Sequence, residues 1–414
     1  MSPMLRVLYL VHDLSDPAVR RRVLMLRAGG AEVTLAGFRR GENRMAEVEG
    51  VVPVELGATE DARFGQRVMA VMRASAALPR RLRGLARPDV IIARNLEMLA
   101  LSNRAAGHFG GSIPIVYESL DIHRLLLRND AAGRALRAAE GHFGRRAALL
   151  LTSSPAFVEH YFKPLSRIAA PVHLIENQVL ELEGTQEGPV ARAKPAGEPW
   201  RIGWFGAIRC RKSLDLLSAF TRQMGGRYEV VLRGRPARSE FDDFDGRVAR
   251  EPFIRFDGAY RNPEDLASIY AGVDFAWAID FFEEGQNSSW LLPNRLYEGC
   301  RHGALPIVLA GTETERLASR RGIGIALRDP RLETLVERLS TFDTAEYDAL
   351  HTRLVALGRR PWVIDAADCT AFVQRLAALR HPDGHAVLRH PDGHAVQPHP
   401  LPSLLPSKVD CHDR

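Results

Sequence analysis

Residues 292–299 read LPNRLYEG and are followed at 303–308 by GALPIV. Pro293 has its φ fixed for a first helical position, Glu298 falls on the inner face of the short helix it opens, and Gly299 closes that helix. An apolar strand follows at once. That order puts Glu298 near the carboxyl end of a parallel sheet, where such sheets bind ligands. An ionised carboxylate accepts two hydrogen bonds and donates none, which suits the vicinal hydroxyls of a ribose. Residues 206–213, GAIRCRKS, offer a second group for the same ligand. Gly206 lets backbone approach it, and the amphipathic helix that follows presents N–H groups at its start. Arg209, Arg211 and Lys212 add three cations within four residues, a combination suited to a pyrophosphate. The spacing is not that of a Walker loop, and the first βα turn, His12-Asp13-Leu14-Ser15, lacks the glycines of a dinucleotide fingerprint.

Two series of strands alternating with helices must carry these groups. In the first, residues 6–11 form a continuous apolar run of buried parallel type, and Asp16-Pro17 caps a helix striped by Val19, Val23 and Leu26. Gly29-Gly30 ends that helix before a strand at 32–36. Further strands are expected at 89–93, 113–117, 148–152 and 172–175. Residues 184–199, GTQEGPVARAKPAGEP, have no apolar period and read as a linker. The second series has strands at 200–205, 228–232, 254–256, 273–278 and 305–309, with a helix start, cap then proline, at Asn262-Pro263. The expected plan is therefore an N-terminal doubly wound domain (1–183), the linker (184–199) and a second such domain (200–361), with a cleft between the domains. Residues 362–379, WVIDAADCTAFVQRLAAL, form an amphipathic helix with Val363, Ala366, Ala367, Phe372, Leu376 and Leu379 on its apolar side. Residues 380–414 read as a disordered tail in which the nonapeptide 379–387 is repeated at 388–396.

The chain has 414 residues, 46% apolar and 26% charged, with a net charge of +6, all values of a soluble globular protein. No signal-peptide core or membrane-length apolar run is present in the sequence, so a cytoplasmic protein is expected. Cys210, Cys300, Cys369 and Cys411 form no CxxC pair. Pro-Asp-Gly separates His381 from His385 and His390 from His394, so no metal site is expected. Only four basic residues are lysines and no nucleic-acid motif occurs. Within 69–87, Arg73, Arg80, Arg81, Arg83 and Arg87 interleave with Met69, Met72, Leu78, Leu82 and Leu85. That pattern suits an anionic bilayer surface or a solvated helix, with Pro79 interrupting it.

With Gly206, Lys212 six residues beyond it, and Pro293 to Val308, the chain resembles nucleotide-sugar glycosyltransferases of the GT-B fold, the glycosyltransferase 4-like group of exopolysaccharide biosynthesis. Residues 15–20 (SDPAVR), 117–121 (YESLD) and 175–177 (IEN) are similar to further segments of that family. The resemblance implies two Rossmann-like domains facing a cleft, with the C-terminal helix crossing back to the first domain. It implies transfer of a hexosyl group from a nucleoside-diphosphate sugar to a sugar or polyprenyl-linked acceptor at the inner face of the plasma membrane, with no resident cofactor. A 2-epimerase of the same fold, or a non-catalytic nucleotide-sugar-binding scaffold, is the alternative. The implied donor site comprises Gly206, Arg209, Arg211, Lys212, Ser288, Ser289, Asn294 and Glu298, with Lys212 also stabilising the leaving diphosphate. Many retaining members have a second glutamate eight residues before the position of Glu298. Trp290 stands there, leaving Glu283, Glu284 or Asn287 to touch the donor sugar. On the acceptor side Asp121 is the candidate base of an inverting reaction, or else a helix cap. His12, Asp13, Glu118 and His123 are its expected neighbours.

Overall fold

The computed structural model describes residues 4–41, 44–59, 64–183, 187–190, 194 and 197–380. The duplicated nonapeptide at 379–396 lies outside them from His381 on, and so does half of the expected linker. Seven parallel strands make the first sheet: β1 (Arg6–Val11), β2 (Glu32–Arg40), β3 (Val54–Thr59), β4 (Val90–Arg94), β5 (Ile115–Ser119), β6 (Ala147–Thr152) and β7 (Val172–Leu174). They lie in the order β3-β2-β1-β4-β5-β6-β7. After β8 (Val179–Leu180) a second parallel sheet contains β9 (Trp200–Ile208), β10 (Tyr228–Pro236), β11 (Ile254–Phe256), β12 (Phe275–Trp277), β13 (Leu305–Leu309) and β14 (Ile325–Leu327). Its order is β11-β10-β9-β12-β13-β14, so the chain is α/β with two parallel-sheet domains. Each order reverses beside its first strand, the crevice where open sheets of this kind receive ligands. β3 and β14 were not expected from the sequence: VELGAT is interrupted by Gly57, and IAL is only three residues long.

Helices cover both faces of each sheet, which is why the central strands are largely apolar. All five residues of β4 are buried, and Trp200 packs against Phe275, Phe342 and Tyr347 in the second core. Fully burying each such side chain contributes about 1.5–3 kcal/mol. The helix Phe64–Arg81 runs through Pro79 rather than stopping at it. Proline removes the N–H that would bond the carbonyl four residues back, and Arg104 Nε donates to that Ser75 oxygen instead (2.7 Å).

The C-terminal helix, Ala366–Ala378, does cross back. Its Cys369, Phe372, Val373 and Leu376 join the core formed by Val19, Val23 and Leu26 of the helix Pro17–Ala28. Contact is close enough that a Cβ on Gly29 would sit 2.3 Å from the Cys369 carbonyl oxygen. The helix starts later than expected, because Asp365 and Asp368 form a reciprocal capping box. Trp362 is instead buried in the second core, Val363–Ile364 form β15 against β8, and Ala366 and Ala367 are exposed.

Candidate active site

Glu298 lies in the helix Asn294–Arg301, for which Pro293 is the N-cap rather than the first helical residue. Gly299 does not end the helix. A Cβ there would meet Ala276 of β12 at 2.7 Å, so the glycine permits close packing on the sheet. Termination falls to Gly303 and Ala304, whose N–H groups bond the carbonyls of Cys300 and Gly299. Glu298 is only 5% exposed. Asn262 Nδ2 donates to its Oε1 (2.9 Å) and the Tyr270 hydroxyl to its Oε2 (3.2 Å). Burial raises its proton affinity, against the pull of these donors and of Arg295 and Arg21. One lone pair on each oxygen is left for a ligand. Asn262 was read as a helix cap, but the helix begins at Leu266 and the amide is spent on Glu298.

The glycine loop is less of a loop than its sequence suggests, since β9 continues to Ile208. Gly206 (φ +103°) pairs with Gly234 of β10 (φ +128°), where a Cβ would come within 2.0 Å of the Gly206 carbonyl oxygen. Neither position tolerates a side chain. The helix Arg211–Gln223 then starts from Cys210, whose sulfur accepts from the Ser213 N–H (3.3 Å). Lys212 Nζ lies 2.6 Å from Glu284 and over the Phe281 ring at 4.6 Å. Arg209 stacks on Phe282 at 4.4 Å and approaches Asp280 at 3.8 Å. Arg211 pairs with Asp242 (2.9 Å) and so is held apart from these two. Arg295, absent from the expected site, reaches the Ile279 carbonyl (2.9 Å) and lies 3.6 Å from Asp280. Its buried Nε has no partner among the described residues. Ser288 Oγ accepts from the Glu283 N–H (2.8 Å) and Ser289 is half-buried beside it, while Asn294 is exposed at the helix start.

The carboxyl ends of the two sheets face one another. Asp121 follows β5, and Asn287 follows β12; Asn287 Nδ2 donates to Asp121 Oδ1 (2.8 Å) and to the Ile122 carbonyl (2.6 Å). The Ile122 N–H also bonds Oδ1 (2.8 Å), so Asp121 caps no helix. Asp121 has an exposed flank, yet the cleft walls crowd its carboxyl. Desolvation, then Glu283 and Asp280, push it up to about 6 against the opposing effect of the Ile122 N–H and Arg209. Asn287 is buried and both amide hydrogens are used, so it offers no donor to a sugar. Trp290 packs on the first domain, stacked on His160 at 5.3 Å, with its carbonyl held by Ser154 Oγ (2.5 Å). Asn177 Nδ2 holds the Leu292 carbonyl (2.8 Å), and the Tyr297 hydroxyl donates to Glu176 (2.8 Å). The position of a second glutamate has thus become a domain contact.

Glu118 is a correction to the acceptor-side set. It has no exposed surface, and its oxygens are taken by Arg22 Nε (2.7 Å) and the Tyr9 hydroxyl (2.5 Å), with Arg94 3.6 Å away. Two guanidinium groups inside the fold demanded this carboxylate; a ligand cannot reach it. Asp13 is likewise buried and occupied by Ser15 and Arg40. His123 is exposed and its Nδ1 accepts from the Leu125 N–H (3.3 Å). His12 is half-buried, and desolvation followed by Arg94 lowers it to about 4, a neutral ring at physiological pH. Its Nδ1 meets Asn95 Nδ2 at 3.1 Å, and Asn95 has φ +69°. A left-handed asparagine at the end of β4 is a strained residue that no sequence pattern announced.

Residues 16–178 match the family described as Glycosyl transferase 4-like domain. The succinoglycan biosynthesis protein ExoL of Rhizobium meliloti (strain 1021) is 61% identical over 379 residues, covering 91% of this chain and 94% of that protein. Among solved structures, the sucrose-phosphate synthase of Thermosynechococcus elongatus is similar with a TM-score of 0.68 at 14% identity, over 90% of this chain and 98% of that one. HepE of Anabaena, in complex with UDP and glucose, is similar with a TM-score of 0.62 at 14% identity over the same shares. At such identities the structural likeness speaks for the GT-B fold, while the identity to ExoL runs along nearly the whole chain. The chain therefore belongs, with ExoL, to the glycosyl transferase 4-like family of GT-B glycosyltransferases.

Proposed function

We propose that this glycosyltransferase moves a hexosyl group from a nucleoside-diphosphate sugar to a sugar or polyprenyl-linked glycan during assembly of an exopolysaccharide. The setting is supported by the role of ExoL in succinoglycan biosynthesis, and a uridine diphosphate donor by the ligands of HepE. One observation carries the reading: an unbroken run of charged neighbours from Glu298 to Asp121. Arg295 acts on Glu298, Arg295 and Arg209 flank Asp280, and Arg209 and Asp280 both act on Asp121. In this reading Glu298 takes the ribose hydroxyls. Lys212, Arg209 and the N–H groups at the start of the helix Arg211–Gln223 take the diphosphate. Charge on the leaving diphosphate peaks in the transition state, so these fixed donors stabilise it more than the bound substrate. Asp121, raised to about 6, is suited to receive a proton from an acceptor hydroxyl near neutral pH. The facing domains keep water from the donor.

Among the described residues no helix is long and apolar enough to cross a membrane. For contact with a lipid-linked acceptor, the proposal uses the helix Phe64–Arg81 and the turn after it. Met69 and Met72 are exposed there beside exposed Arg73, Arg80, Arg81, Arg83 and Arg87, and each basic group near an anionic surface adds about 1 kcal/mol. Calorimetry with UDP, and UDP release from UDP-glucose by the full chain, test the reaction. Binding with slow release is expected, and no binding of UDP-, GDP-, ADP- or dTDP-sugars at millimolar concentration would overturn it. Sedimentation with phosphatidylglycerol vesicles but not phosphatidylcholine vesicles tests the surface contact; equal or no binding removes it.

A further inference from the structure

Asn287 was a candidate for the donor sugar, and its surroundings assign it different work. The loop from Asp280 to Trp290 is folded upon itself: the Phe282 N–H bonds Asp280 Oδ1 (2.9 Å), the Gln286 N–H bonds the Glu283 carbonyl (3.0 Å), and the Trp290 N–H bonds the Asn287 carbonyl (2.9 Å). From this braced platform Asn287 crosses to the other domain and is 1% exposed there. Its amide donates both hydrogens, one to Asp121 Oδ1 and one to the Ile122 carbonyl, the peptide that adjoins Asp121. Side chain and backbone are thus gripped together. The Ile122 N–H also falls on Oδ1, so the oxygen left to receive a proton is Oδ2.

We infer that Asn287 is a positioning residue: a neutral donor on the nucleotide-binding domain that fixes the Asp121 carboxyl of the other domain, so that the base is aimed only when the two domains are engaged. This rests on the reading of Asp121 as the proton acceptor. A neutral amide is the chemistry such a site calls for. Lysine or arginine would pair with Asp121 and abolish its basicity, and a carboxylate would repel it. The groups already facing Asp121 from the second domain are Glu283 and Asp280, which favour its protonated form, and Arg209, which opposes them; His123 and Arg124 follow on its own segment. An amide orients the carboxylate and favours its ionised form modestly, without adding a full charge to that balance.

The test uses the full chain labelled with 13Cγ-aspartate, the Asp121 resonance being the one lost in Asp121→Asn. Titration gives its midpoint, and UDP release from UDP-glucose gives turnover. Asn287→Ala should raise the midpoint and the acid limb of the rate profile, because a donor to the ionised form is gone. It should lower kcat about tenfold while leaving the KM for UDP-glucose within twofold. Asn287→Asp keeps the size of the side chain and so guards against mere collapse of the loop. Its new carboxylate should raise the Asp121 midpoint further, as for two carboxylates sharing one proton. An unmoved Asp121 midpoint in both variants overturns the proposal, as does a loss confined to KM. Full activity in Asp121→Asn overturns instead the reading of Asp121 as the base, whereas an inactive Asp121→Asn with silent Asn287 variants leaves that reading standing and removes Asn287.

Discussion

The molecule contains two systems of paired charges that look alike in sequence and differ in kind. In the first domain Glu118, Arg22 and Arg94 are closed off from solvent, with side-chain exposures of 0, 2 and 7%, and Tyr9 and Asp16 add further hydrogen bonds. At the edge of the second sheet, Lys212 and Glu284 are each about half exposed, and Arg209, 3.8 Å from Asp280, is 40% exposed. Charges withdrawn from water cost several kcal/mol each, which only close opposite charges offset, so a set like that around Glu118 is architecture. Charges left at a wet edge gain little from one another and exchange partners readily. The second system is therefore where an incoming diphosphate can replace protein carboxylates. The contrast teaches that burial together with the number of charged partners, more than residue type, separates a structural carboxylate from one available to a ligand.

The largest effect belongs to the buried system. Glu118→Gln leaves the buried Arg22 without its counter-charge and Arg94 with Asp16 alone, and should cost about 3–5 kcal/mol of folding stability, read from urea unfolding. A loss under 1 kcal/mol would remove the distinction. Burial alone would raise the Glu118 carboxyl, but Arg22 and Arg94 outweigh it and hold the group below its usual range. A depressed carboxyl stabilises the fold above its unfolded value and loses that contribution as pH falls through the folded one. The wild type should therefore lose stability below about pH 4, by an amount that shrinks in the variant.

The exposed system should respond in the opposite manner. Lys212→Ala should change stability by less than about 0.5 kcal/mol, as for other half-exposed pairs. Turnover of donor should nevertheless fall about 100-fold, because removal of one donor to a developing oxyanion typically costs this much. UDP affinity should fall far less. Equal loss in affinity and turnover, or a lower melting temperature, would make Lys212 a structural residue.

Why Glu118 was misjudged, while the helix that carries Glu298 was legible, lies in what a sequence can carry. The strand-to-helix order around Glu298 is local, and the apolar runs of β1, β4 and β13 declare buried parallel strands without further help. Burial of Glu118 depends on Arg22 and Arg94, 96 and 24 positions away, and no local pattern encodes that meeting. The partnership of Asn287 with Asp121 is likewise a contact between domains, 166 residues apart. Gly206 was legible as a place of close approach, but its partner Gly234 follows only from the register of β9 with β10. The crossover helix was legible from its apolar spacing, whereas its start was not, because Asp365 can cap and Trp362 can equally fill a core.

Glu298 sits between the two extremes, buried like Glu118 yet with acceptor capacity to spare. Glu298→Gln replaces an acceptor oxygen by an amide NH2 that faces donors, and should weaken UDP about tenfold by calorimetry with the fold retained. Because burial raises the Glu298 carboxyl, UDP affinity should also decline as pH falls toward the upper edge of the ordinary carboxylate range. Affinity that is the same for UDP and for pyrophosphate in both proteins would take Glu298 away from the ribose.

Glu284→Gln gives the smallest effect and the sharpest discrimination. Glu284 touches Lys212 through both oxygens, at 2.6 and 2.8 Å, with half of its side chain in water. If it holds the lysine until a diphosphate arrives, donor binding must first break this pair, and the wild-type affinity is reduced by that cost. A half-exposed pair is worth about 0.2–1 kcal/mol, so neutralising Glu284 should tighten UDP binding about 1.4- to fivefold. The gain should shrink at high salt, which weakens the pair in the wild type, and should vanish in Lys212→Ala/Glu284→Gln. If Glu284 instead contacts the donor sugar, its loss weakens UDP-glucose while leaving UDP unchanged. Titrating both ligands at two salt concentrations separates the two roles, and weaker UDP-glucose binding with unaltered UDP binding would end the description of this charge pair as exchangeable.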